Sequence, residues 1–110
     1  VRALLSEPAA VSSVCLKFAK TGSLREWTTM AEGATDAGSP VTPISAFDTS
    51  LGAALTLHLC ATVPRLSRGL EPIPNMVDGD PATAPLDMGP EMVISDGPGV
   101  GVELRDDLFN

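Results

Sequence analysis

The stretch VSSVCLKFAKTGSL, residues 11–24, decides how the rest of the chain is read. Its first part reads as a strand over residues 11–18. Alternation puts Ser13, Cys15 and Lys17 on one face and Val14, Leu16 and Phe18 on the other. A lysine inside so apolar a run calls for a partner or a task. "TGS" then breaks the strand, and Ser23 is a good N-cap for a helix across 24–37. Leu24, Trp27, Met30 or Ala31, and Ala34 recur at helical spacing and form one apolar stripe. Gly38 suits the position just past the helix, and Pro40 forbids continuation.

Working outward, "VTPISAF" over 41–47 reads as a second strand, with Pro43 marking a local irregularity. Asp48, Thr49 or Ser50 caps a helix over 50–62, whose stripe is Leu51, Leu55, Leu59 and Thr62, with Ala54 and His58 beside it. "VRALLSE" at the start reads as the last turns of a helix closed by Pro8. Strands alternating with helices predict a parallel sheet with right-handed crossovers, either a barrel or an open doubly wound sheet. The pattern changes from residue 65. A third short strand is expected over 65–71, then a Pro/Asp/Gly loop through Pro90. "EMVIS" and "VGVEL", joined by "DGPG", read as a hairpin, and "RDDLF" begins a terminal helix. No internal repeat is found.

The 110 residues suffice for one small domain with a real core. A net charge of −7 sets the surface against phosphate backbones and anionic membranes, which argues against nucleic-acid or membrane partners. No apolar run approaches the ~18–20 residues of a membrane span, and no secretory signal is visible at the start. Cys15 and Cys60 fall in separate predicted elements, and two unpaired thiols fit a reducing cytosol. The chain opens on Val1 rather than Met, so a piece of something longer is expected.

Three motifs then follow one another in a familiar order: "CLKFAKTGSL", "FDTSLG" with "LHLCATVP", and "DGPGVGVEL". Together they resemble the C-terminal part of the enolase superfamily, in its muconate-cycloisomerase-like branch, with mandelate racemase a more distant relative. The resemblance covers nearly the whole chain. It implies a modified barrel of the (β/α)₇β type with a capping domain. Residues 11–18 and 41–47 then resemble its sixth and seventh strands, and 65–71 lies near the eighth. A whole barrel of this type takes ~250 residues. The fold class expected here is therefore α/β: a partial (β/α)₈-type barrel, about its last three βα units, over residues 1–71. Residues 72–110 form an irregular, Pro/Gly-rich segment returning toward the cap.

The same resemblance implies site residues. Lys17 matches the strand-ending lysine that serves this group as general acid/base for a proton α to a carboxylate, in sites that pair such a base with Mg²⁺. Lys20, past the strand, is expected in the strand-to-helix loop as a weaker candidate for substrate binding or as a solvated cation. Asp48 resembles the acidic residue after the seventh strand, usually Glu, that hydrogen-bonds substrate or enolate; its other reading is a helix N-cap. Glu71, in "RGLEP", is a candidate substrate-binding residue at the barrel mouth, or else a surface residue. Mg²⁺ is implied for the parent enzyme, with its ligands and the opposing base on strands that this chain does not contain. No metal ligands are assigned within the chain, and a small carboxylate is the implied substrate.

Several features read as structural. His58 is expected to be a hydrogen-bonded structural histidine. "DGPGVG" lacks the ending of a phosphate-binding loop and reads as a tight turn. Asp78, Asp80 and Asp87 do not match a calcium loop and are expected to be solvated. The parent is expected to be a racemase, cycloisomerase or dehydratase, cytoplasmic, and this chain alone inert. The alternative is a truncated, non-catalytic α/β chain that acts through association with another chain or with the missing part of the barrel. A flavodoxin-like binding domain fits the βα order but fails on the missing Gly-rich first turn.

Overall fold

A computed structural model of the chain describes residues 11–45, 47–70 and 78–109. The expected helix before Pro8 lies outside them. Strand β1 is Val14–Leu16, followed by a short helix α1, Phe18–Thr21, and by α2, Leu24–Asp36. Strand β2 is Val41–Pro43, helix α3 is Ser50–Cys60, and a 3₁₀ helix closes the chain at Asp106–Phe109.

The first strand is shorter than its alternation predicts. The chain turns helical at Phe18, whose ring packs against the core rather than extending the strand. The Lys20 N–H bonds the Lys17 carbonyl at 2.9 Å to close that turn. Gly22, at φ +85°, ends α1 in a left-handed conformation that costs glycine little. Ser23 then caps α2 as expected, its hydroxyl accepting the Glu26 N–H at 3.1 Å. At the far end the Gly38 N–H bonds Thr35 and the Ser39 N–H bonds Ala34, both at 2.9 Å. This pair of bonds is a Schellman motif, which requires the positive φ of Gly38.

Strands β1 and β2 run parallel with Val14 opposite Val41, Cys15 opposite Thr42 and Leu16 opposite Pro43. A single parallel bridge, Val41 to Leu66, adds the third stretch, far less than the strand expected over 65–71. Proline explains the shortfall. Val41 donates to the Arg65 carbonyl and accepts from Ser67, so the next rung on that side falls to residue 43, and Pro43 has no N–H to give.

Leu16 and Val41 share one buried cluster with Trp27, Ala31 and Ala34 of α2 and with Leu59 of α3. Both crossover helices therefore cover the same face of a sheet whose spatial order equals its chain order. That is the winding of a barrel, and it is shared by one half of a doubly wound sheet before its strand order reverses.

Helix α3 buries a face that overlaps the expected stripe only in part. Of that stripe Leu59 is buried in the core and Leu55 half-buried, but Leu51 and Thr62 are exposed, whereas Ala53, Ala54, Thr56, Leu57 and Cys60 are buried as well. The helix is apolar nearly all round, so periodicity could not choose its orientation. On one side Leu59 joins the core cluster, and on another Leu57 lines a small cavity with Gly69, Leu70, Pro90 and Met92.

The expected hairpin does not form. "VGVEL" bridges antiparallel to Ala82 through Leu104, with Thr83 N–H to Glu103 and Arg105 N–H to Pro81, both at 2.9 Å. Residues 91–96 carry no strand. Two turns in succession, Gly97 N–H onto the Ser95 hydroxyl and Gly101 N–H onto Pro98, carry the chain away from "EMVIS". "RDDLF" closes as the 3₁₀ turn.

Candidate active site

Parallel strands put all their C-terminal ends on one edge of the sheet, and the loops leaving that edge are where barrel chemistry gathers. Lys17 is the first residue past β1. Its backbone stays extended, at φ −108° and ψ 117°, while it stands as the N-cap of α1. Alternation thus carries on for one more residue, in phase with Cys15. Cys15 faces Thr42 across the ladder, and the Thr42 and Ser67 hydroxyls are hydrogen-bonded. This row of the sheet face turned away from the helices is accordingly polar.

Asp48 leaves the same edge after β2. The chain reaches it through Phe47, whose φ of +55° is uncommon for a bulky residue and whose ring is exposed. This turn lays Asp48 back over the first turn of α3. The buried Ser45 hydroxyl donates to Asp48 Oδ2 at 2.9 Å. A Cβ on Gly52 would stand only 3.0 Å from the Asp48 Cβ, so the glycine makes room for the carboxylate. Asp48 is not the N-cap: Thr49 holds that position, without a side-chain cap bond. Ser45 and Gly52 belong to the site's support, and the "TSLG" spacing was the signal for Gly52.

Lys20 stands in α1 and not in a loop. With Lys17 it lines a cavity of about 300 Å³ that also touches Val14, Cys15, Leu16 and Met30. Consecutive strand residues point to opposite faces, so a cavity touching four in a row runs along the strand's edge. Asp48 does not line it. Glu71 lies outside the described residues. Among the described residues no group of three or more His, Cys, Asp or Glu side chains is placed to hold a metal ion. A Mg²⁺ site does not fit the donors described here.

Asp80, expected to be solvated, is instead bound. Burial by itself would raise its pKa, but hydrogen bonds from Ala82 N–H, Ser50 N–H and the Ser50 hydroxyl, aided by the Arg105 charge, hold it below the usual value. His58 is half-buried, and its Nε2 has no partner among the described residues. Both cysteines are free, Cys15 exposed and Cys60 buried. Among the described residues no helix is long and apolar enough to cross a membrane.

These features define a piece of a parallel α/β barrel with polar side chains at its C-terminal edge. A model of the enolase C-terminal domain-like family matches residues 2–108, and the chain belongs to that family. Among solved structures it is similar to 2-chloromuconate cycloisomerase from Rhodococcus opacus 1CP, with a TM-score of 0.79 and 31% identity over 89% of this chain. The match takes in 27% of that enzyme's chain, so this chain spans about a quarter of it. Among curated proteins none matches significantly.

Proposed function

We propose that this chain is the C-terminal barrel portion of an enolase-superfamily enzyme that abstracts a proton α to a carboxylate, giving racemisation, cycloisomerisation or β-elimination. Residues 1–71 supply barrel units, and residues 72–110 return toward the cap. The observation that carries the reading is the place of Lys17, first past β1 on the edge that Asp48 also leaves, in a chain of this family. In the neutral form the Lys17 amine takes the α-proton and becomes an ammonium, while the C–H electron pair moves into the enolate. The ammonium then returns a proton to carbon or to a leaving group.

Asp48 hydrogen-bonds a substrate or enolate oxygen, the role the motif resemblance gives it. Lys20 offers a second cation to a carboxylate. Mg²⁺ belongs to the parent enzyme, held by residues outside this chain, and no step here runs through it. The chain alone is inert, because it lacks the opposing base. The test is Lys17→Ala in the full polypeptide that carries this chain, with α-proton exchange of a small carboxylate into deuterated solvent followed by NMR. Exchange should vanish; exchange at the parent rate removes Lys17 from the chemistry.

A second reading, a non-catalytic chain acting by association, is favoured by the cavity along the β1 edge. Strand edges invite pairing with another strand. Size-exclusion chromatography separates the readings: a discrete complex supports association, and a monomer removes that support.

A further inference from the structure

Residues 78–86 cross the N-terminus of α3, and side-chain oxygens make the crossing. Asp80 Oδ2 accepts the Ser50 N–H and the Ser50 hydroxyl, each at 2.8 Å. Its Oδ1 accepts the Ala82 N–H at 2.9 Å. The Ser50 Oγ in turn accepts the Leu86 N–H at 2.8 Å. Ser50 is fully buried, so its N–H and hydroxyl need protein partners. Thr49, at the N-cap, supplies none through its side chain. A carboxylate thirty positions along the chain does the capping instead.

What lies beyond is tied to the same strip. Leu104 bridges Ala82, Glu103 accepts from Thr83, and Arg105 donates to Pro81. We propose that Asp80 and Ser50 form the clasp that fastens residues 78–105 onto the barrel units, and that Asp80 is a positioning residue for the start of α3, two residues from Asp48. The clasp stands by itself, whereas the importance of positioning Asp48 rests on the proposed function.

A carboxylate offers about four lone-pair sites, enough for every bond seen here. Replacing Asp80 by Ala removes all of its bonds together, and replacing Ser50 by Ala removes only those of the hydroxyl. The two losses are therefore distinguishable along the chain, where a general loosening would not be. Local opening of this kind is read by amide exchange.

The experiment is amide hydrogen exchange by NMR on the chain itself. In Asp80→Ala the Ser50, Ala82 and Leu86 amides should exchange about tenfold faster, while Val41 and Ile44 in the sheet keep their rates. In Ser50→Ala the Leu86 amide alone should speed up, with Ala82 held by Asp80 Oδ1. Asp80→Asn, which keeps an acceptor oxygen, should restore part of the protection. For the positioning role, the Asp48 carboxyl carbon shift should move in Asp80→Ala and return toward the parent in Asp80→Asn. Unchanged Ala82 and Leu86 rates in Asp80→Ala overturn the clasp, as does equal loosening of both in Ser50→Ala. An unmoved Asp48 shift overturns the positioning. If Asp80→Ala does not fold, Ser50→Ala decides the clasp and the Asp48 shift in Asp80→Asn decides the positioning. Neither outcome depends on catalysis, so failure here is separable from failure of Lys17.

Discussion

The Ile44 amide donates to the Leu16 carbonyl at 2.9 Å, tying the segment just past β2 to the last residue of β1. Lys17 is the next residue. Its backbone is thus anchored from the neighbouring strand, while its side chain forms no part of the buried cluster. Lys17→Ala should therefore leave the urea midpoint of this chain within what ~0.5 kcal/mol produces, even as it abolishes exchange in the full enzyme. A large loss of stability would mark the lysine as structural.

Gly52 sits in α3, where alanine normally gains ~1 kcal/mol over glycine. Here the added Cβ meets the Asp48 side chain at 3.0 Å. Gly52→Ala should displace Asp48 from the Ser45 hydroxyl while changing stability by less than the usual gain. NMR shifts of Ser45 and Asp48, beside a denaturation curve, check both halves.

Trp27 is completely buried at the centre of the cluster, and its Nε1 has no partner among the described residues. Trp27→Ala should cost ~3–5 kcal/mol. Trp27→Phe should cost far less, because it removes an N–H whose burial without a bond costs ~1–3 kcal/mol. Equal losses in equilibrium unfolding would contradict this account.

The Asp80 pKa is lowered in the folded chain: burial opposes ionisation, but the bonds from Ala82 and Ser50 and the Arg105 charge prevail. A depressed folded value means that stability from this group is fully present above the ordinary value of 3.8. It is lost as pH falls through the lower folded value. Ala82 and Leu86 amide signals should stay native at pH 5 and shift only as pH falls below 3.8 through the lowered folded value, and Asp80→Asn should remove that acid step.

Burial pushes the Cys60 thiol up to about 11, with its own backbone hydrogen bond opposing. Little thiolate exists there at neutral pH. Iodoacetamide at pH 8 should label exposed Cys15 in the folded chain and reach Cys60 only after unfolding, as mass spectrometry of the two peptides would show.

Much of the scaffold was legible locally. Ser23 and Gly38 marked both ends of α2 because caps act within a turn of chain, and Trp27, Ala31 and Ala34 marked its buried face because its other side is polar. Lys17 and Asp48 were legible as candidates from their motifs, at the ends of short apolar runs. The end of β1 was not legible, because Phe18 fits a strand's alternation as well as it fits the core. Nor was the buried face of α3, whose apolar residues surround the helix.

The sequence by itself determined the order β1, α2, β2, α3 and both caps of α2, since these rest on periodicity and on residues close together in the chain, while the family rested on the resemblance of three motifs. Only the tertiary structure decided that both helices cover one face of the sheet, that Pro43 limits the third stretch to a single bridge, and that Leu104 pairs with Ala82 rather than within a hairpin. It also turned Asp80 from a loop acid into the cap of α3. Each of these depends on which distant groups are brought to a buried polar atom, and no local pattern encodes a partner thirty residues away.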